Sequence, residues 1–307
     1  MSWSGETLLP LSVSILALRS EPRTTPLEVV SFVLTEYHLI LHRLSILWCE
    51  SDIGAFLGPA GSFRNVTAYY DRNSEAYAAF AQAAASNEAF GNDPEKSIIG
   101  ENIEILRFAW DESTAAGKTW QIWGCPVVVG PSIGPNVARL GETYSNASAA
   151  PLIQAYVDAV LPFPPASFAR ALVAMEIFQQ PWNPDDFAGV TVERAKVLEV
   201  AARANNPVIL SGDVHDAWAW TLYEGGALSG TPVAANLVTP GVTSPGWGSA
   251  VAPLFAINPL DETLGVGWFY DAIEENFVGV NEGLKYANIE NKGFFATKAT
   301  KVRNAPL

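Results

Sequence analysis

Asp213 and His215 stand two residues apart at the end of Asn206-Pro207-Val208-Ile209-Leu210-Ser211-Gly212-Asp213-Val214-His215. A carboxylate oxygen suits calcium, magnesium or manganese, and an imidazole nitrogen suits iron, zinc or manganese. Val208-Ile209-Leu210 is an apolar run of the kind buried in a sheet covered on both faces. In open α/β sheets, ligands bind outside the carboxyl ends of strands, which is where this pair would project. Gly212 allows close backbone approach or a backbone angle that other residues avoid. Spacing alone leaves two roles open. The pair binds a metal, or the aspartate caps a turn while the histidine bonds to backbone. Two donors do not complete a metal site, which takes about four or more.

A second constellation offers nucleophilic chemistry. Gly130-Pro131-Ser132-Ile133-Gly134 fits Gly-x-Ser-x-Gly and follows the apolar Val127-Val128-Val129. With a later aspartate and His215 it would keep the order Ser, acid, His of a serine hydrolase. The elbow must turn sharply into a helix, however, and Pro135 opens a polar loop instead. His38 and His42 have i, i+4 spacing but no Glu-x-x-His frame, so a structural role is expected of them. Asp185-Asp186 precede a helix and are expected to cap it rather than to reach a metal. The ten tryptophans are expected to pack core and loops.

The elements that must carry these residues alternate in type. Ser74 is a plausible N-cap for a helix over 74–90, with Tyr77, Phe80, Ala81 and Ala84 at helical spacing. A second helix is predicted from Ser97 to Glu112, with Ile98, Ile99, Ile103, Leu106 and Trp110 as its apolar stripe. Strands are predicted at 119–123 and 127–129, and a polar loop at 130–150. Helices follow at 151–161, 166–179 and 191–205. Further strands are predicted at 208–210, 217–223, 233–239, 284–290 and 293–299, the last two as a hairpin around Asn291-Lys292. This order implies mixed α/β layers.

Composition narrows the classes. The chain has 307 residues, 49% of them hydrophobic, which is ample for a packed core. Its net charge of −14 repels a nucleic-acid backbone, so no nucleic-acid role is expected. Cys49 and Cys125 are too few for a disulfide framework and are expected to be unpaired thiols. Leu8 to Leu18 is apolar but lacks a basic lead and a small-x-small cleavage site, so no signal peptide is expected. Glu36, His38, His42 and Arg43 interrupt Val29 to Trp48, so no transmembrane segment is expected there.

From Asn206 onward the chain resembles the end of a PhoD-like alkaline phosphatase, in the calcineurin-like metallophosphoesterase branch. Members show Asn-Pro and a hydrophobic run into Ser/Thr-Gly-Asp-x-His, followed by a Trp. Here these are Asn206-Pro207, Ser211-Gly212-Asp213-Val214-His215 and Trp218. A Thr-x-x-Ser-Pro-Gly-like segment is matched by Val238-Thr239-Pro240-Gly241-Val242-Thr243-Ser244-Pro245-Gly246. Asn281-Glu282-Gly283-Leu284-Lys285-Tyr286 and Gly293-Phe294-Phe295 match the family's C-terminal pattern. Upstream, Asp93 to Glu101, Trp120 to Gly124, and Pro181 to Gly189 with Arg194 behind it resemble further family segments. The resemblance covers about 93–307, and more loosely 44–92.

The resemblance implies a layered α/β/β/α metallophosphatase sandwich, formed by residues 44–307 and incomplete at the N-terminus, with 1–43 poorly matched. It implies hydrolysis of small phosphate mono- and diesters with calcium and iron. It makes Asp213 and His215 metal ligands and His215 catalytic. The family is usually secreted or periplasmic, which leaves the localisation of this chain open. Three family motifs have no match here: an early Cys-containing segment, Gly-Asp-x-x-Tyr and Trp-Asp-Asp-His-Glu. Leu44 to Ser51 fits the strand before another family sequence only in degenerate form. Truncation is the simplest account, and it predicts weak or absent ester hydrolysis. The alternatives are a serine hydrolase using Ser132 and a non-catalytic remnant or binding module.

Overall fold

The computed structural model describes residues 13–14, 70–161, 167–244, 246–248, 260–265 and 267–297. Cys49, His38, His42, Leu44 to Ser51 and the apolar runs expected before residue 49 lie outside the described residues, except for Val13–Ser14. The chain starts with β1 (Val13–Ser14), α1 (Glu75–Gly91), α2 (Asn102–Ala115) and β2 (Gln121–Gly124). It continues through α3 (Leu140–Thr143), α4 (Ala150–Val160), α5 (Ser167–Ile177) and α6 (Thr191–Ala201). Then come β3 (Pro207–Ser211), β4 (Ala217–Tyr223) and β5 (Pro232–Val238). It ends with α7 (Asp261–Leu264), α8 (Trp268–Val280), β6 (Leu284–Asn288) and β7 (Ala296–Thr297).

The fold is mixed α/β. Five strands lie in the order β2-β3-β5-β4-β6. β3 runs parallel to β2 and to β5, while β4 is antiparallel to β5 and β6. Among the described residues this is the one large sheet; β1 and β7 form a separate two-stranded pair. β3 has a neighbour on each side and Ile209 is fully buried, which explains its unbroken apolar run. β4 alternates instead, burying Trp218, Trp220 and Leu222.

Two apolar clusters flank this frame. One joins α1, α4, α5 and α8 through Phe80, Ile153, Val157, Leu172 and Ile273. The other covers the sheet with α2, α6 and α8 through Trp110, Val197, Ile209, Trp220 and Phe277. α8 therefore ties the two together. No helix among the described residues is long and apolar enough to cross a membrane.

Several elements differ from expectation. Val127, Val128 and Val129 are buried but form no strand. They lie against the sheet face that carries Asn236 and Trp220, and Val128 O accepts from Phe187 N at 3.1 Å. Gly130 belongs there because a Cβ would come within 2.5 Å of the Trp220 ring. β6 and β7 form no hairpin: β6 pairs with β4, and β7 with β1. The polar loop holds a 3-10 turn at Val137–Arg139 and the short α3. α2 starts at Asn102 rather than Ser97 because Gly100 is left-handed (φ 54°), which interrupts a helix begun at 97; the N–H groups before α2 are held by another element. Those of Ile98 and Gly100 donate to the Glu193 carboxyl group at 2.5 and 3.0 Å, Ile99 N donates at 3.2 Å, and Ser97 Oγ donates to it as well.

Candidate functional site

β3 delivers its C-terminal end to a turn in which side chains alternate between outside and inside. Asp213 and His215 are exposed, Val214 is half-buried and Asp216 is buried. The alternation has a backbone cause. Asp213 (φ 72°) and His215 (φ 62°) both sit in the left-handed region, and Val214 N donates to Gly212 O at 3.0 Å. Each such angle costs a non-glycine residue on the order of 1 kcal/mol, so the fold holds both residues in strained conformations. Gly212, expected to allow a close backbone approach or an unusual angle, shows neither: its angle is ordinary, and a Cβ there would first meet Thr239 at 3.9 Å.

The turn is anchored at both ends. Before it, Ser211 O accepts from Thr239 N at 2.9 Å, and Ser211 Oγ accepts from Asn236 Nδ2 at 2.8 Å. After it, Asp216 Oδ1 accepts from Trp247 N at 2.8 Å. Asp216 Oδ2 is buried with no hydrogen-bond partner. Burial pushes the Asp216 carboxyl up to about 8; the Trp247 N–H opposes this and the Glu274 charge adds to it. Asp216 is therefore largely protonated at neutral pH. Gly246 packs onto the same carboxyl, where a Cβ would lie 2.7 Å from Oδ1 and 2.5 Å from Ile289 O. A side chain at 246 would push this loop off the turn.

The Pro181–Gly189 loop brings two more carboxyl groups towards Asp213. Asp185 is raised by burial and further by the charge of Asp213. Asp186 is raised well above its ordinary value by burial, offset in part by the Ala188 N–H and by Arg194, while Asp185 and Asp213 add to the rise. Asp186 Oδ1 accepts from Ala188 N at 2.7 Å within the loop, and α6 takes no side-chain cap, so the helix cap expected of Asp185-Asp186 is not formed; Asp186 Oδ2 is buried without a partner. Arg194 donates to Gly226 O at 3.0 Å and is lowered to about 10 by burial, against the pull of Asp186.

Ser132 does not have the geometry of a hydrolase nucleophile. It is fully buried, its Oγ has no hydrogen-bond partner, and the chain continues without a helix until Val137. Cys125 is a free, buried thiol pushed up to about 12 by burial, too basic to act as a nucleophile at neutral pH.

The donor set decides how far a metal fits. Among the described residues, no three His, Cys, Asp or Glu side chains come together to hold an ion. Asp213 and His215 are thus two donors to which the described residues add no third, and they do not by themselves build a metal centre.

Asp216, Asn236 and Glu274 were not singled out from the sequence. Asn236 alone left a signal: an amide inside the otherwise apolar Val233 to Val238.

A PhoD-like phosphatase family model matches residues 64–305. Among solved structures, one described as "Structure of PhoD" matches with a TM-score of 0.37 and 15% identity, covering 66% of this chain. The chain spans 28% of the length of that PhoD chain. No curated protein sequence matches. With the family model spanning most of its length, the chain belongs to the PhoD-like phosphatase family.

Proposed function

We propose that the chain hydrolyses small-molecule phosphate esters, with Asp213 and His215 at the reacting centre. One observation carries this: the turn after β3 holds both side chains outward through two left-handed residues, at the strand end where α/β folds present their ligands. His215 is assigned the proton transfer, because an imidazole exchanges protons near neutral pH. As a water oxygen bonds to phosphorus and the ester P–O bond breaks, it would take the proton that the water loses and pass it to the departing alkoxide oxygen. The family is metal-dependent, and calcium and iron are the metals proposed here, with Asp213 among their ligands; an imidazole that moves the proton is not bound to the ion at the same time. Among the described residues no third His, Cys, Asp or Glu joins Asp213 and His215.

The test is hydrolysis of p-nitrophenyl phosphate and bis(p-nitrophenyl) phosphate by the purified chain, supplied with calcium and iron and then with a chelator. Turnover should stop on chelation. His215→Gln should lower it by about 100-fold or more, the scale of lost general acid–base catalysis, and Asp213→Asn should lower it through the loss of a metal ligand. Both residues are exposed, so the melting temperature should change little. A parent chain inert under every metal condition would sink the proposal and leave the non-catalytic alternative.

A further inference from the structure

We infer that Asn236 is the positioning residue of the Asp213–His215 turn, an inference that rests on the phosphatase function just proposed. Asn236 lies on β5, opposite Ile209 of β3 and Trp220 of β4. It is 0% exposed, in a strand whose other inward residues are apolar. A buried amide costs stability unless its donors and acceptor are satisfied, and here they all are. Oδ1 accepts from Val129 N at 3.0 Å and Gly130 N at 3.3 Å. Nδ2 donates to Ile209 O at 3.2 Å and Ser211 Oγ at 2.8 Å.

One side chain thus joins three segments: its own strand, the last residues of β3, and the segment lying across the sheet face. The segment cannot slide inward, because Gly130 already rests on the Trp220 ring. The Ser211 hydroxyl is therefore held against a rigid support, two residues before Asp213. A strained turn follows the support it starts from. Small displacements of reacting groups cost large factors in rate, about 100-fold for a shift near 1 Å. Asn236 touches neither Asp213 nor His215 by hydrogen bond, so its effect passes through Ser211.

The experiment compares kcat, KM and melting temperature for the parent chain, Asn236→Asp, Asn236→Leu, Ser211→Ala and Ser211→Thr, with bis(p-nitrophenyl) phosphate. Asn236→Asp keeps the acceptor for Val129 and Gly130 but loses both donors. Ser211→Ala removes only the acceptor next to the turn. Both should lower kcat at least tenfold with KM within twofold, measured below each variant's melting range. Ser211→Thr, which keeps the hydroxyl, should recover most of the kcat lost in Ser211→Ala. A merely structural role would lower the melting temperature and leave kcat of the folded protein alone. If the Asn236 variants do not fold, Ser211→Ala and Ser211→Thr decide the matter. Folded variants with kcat within twofold of an active parent overturn the positioning role while the phosphatase function stands. An inert parent overturns both.

Discussion

Glu274 shows how one carboxyl group can tie local structure to pH. Its Oε1 accepts from Ile289 N at 2.8 Å, at the end of the strand that flanks the Gly246–Gly248 loop. Burial pushes it up to about 7, the Ile289 N–H opposes, and Asp271 and Glu290 add to the rise. Asp216 faces it from the turn, where the Glu274 charge raises the aspartate in turn. The native protein thus keeps the Glu274 proton to about pH 7, while the unfolded chain releases it near the ordinary value of 4.5. Between these values the native state binds more protons, so stability falls as pH rises through that window and stays lower above it. Glu274→Gln keeps an acceptor for Ile289 and removes the titration. The variant should match the parent near pH 4.5 and exceed it by up to about 3 kcal/mol at pH 8, in denaturant unfolding. Parallel pH–stability curves for the two proteins would count against the assignment.

At the scale of elements, α6 organises the entry to α2. Glu193 stands in the first turn of α6 and is buried, and its carboxyl group satisfies Ser97, Ile98, Ile99 and Gly100 at once. Glu193→Ala leaves these groups without their acceptor, and should cost on the order of 2–3 kcal/mol in urea unfolding. Amide exchange at Ile98 and Gly100 should accelerate while exchange at Ile209 follows global stability only; unchanged rates at 98 and 100 would contradict this role. The same contact shows where local sequence reading stops. The stripe from Ile98 to Trp110 announces a helix, but the left-handed Gly100 delays its start, in a segment held by a residue 93 to 96 positions away. Ser74 was legible because its cap is local: Oγ accepts from Tyr77 N at 3.0 Å. Val127 to Val129 read as a strand because they are apolar, and they are buried, but against a sheet face rather than in a ladder. α8 carries Trp268, Phe269, Ala272, Ile273 and Phe277 inward, a helical stripe that the sequence holds but that was not predicted. At the candidate site, the strand-end position of Asp213 and His215 was legible because both directly follow the apolar run. Asp216 and Asn236 were not, since their partners Trp247 and Val129 lie 31 and 107 residues away.

The whole molecule sets the field in which any phosphate ester arrives. The chain carries 32 acidic and 18 basic residues, a net charge of −14. Near Asp213 this field has a local source, for Asp185 and Asp186 both register the Asp213 charge, and Arg194 is buried and committed to Gly226. A monoester with about two negative charges is repelled more than a diester with one, and salt screens the difference over roughly 10 Å at 0.1 M. The proposed hydrolase should therefore favour the diester most at low ionic strength. Raising salt from about 10 mM to about 150 mM should lower KM for p-nitrophenyl phosphate by several-fold and lower KM for the bis ester by only about the square root of that factor. A KM that rises with salt instead, and more for the monoester, would mean that a bound cation has reversed the field at the reacting centre.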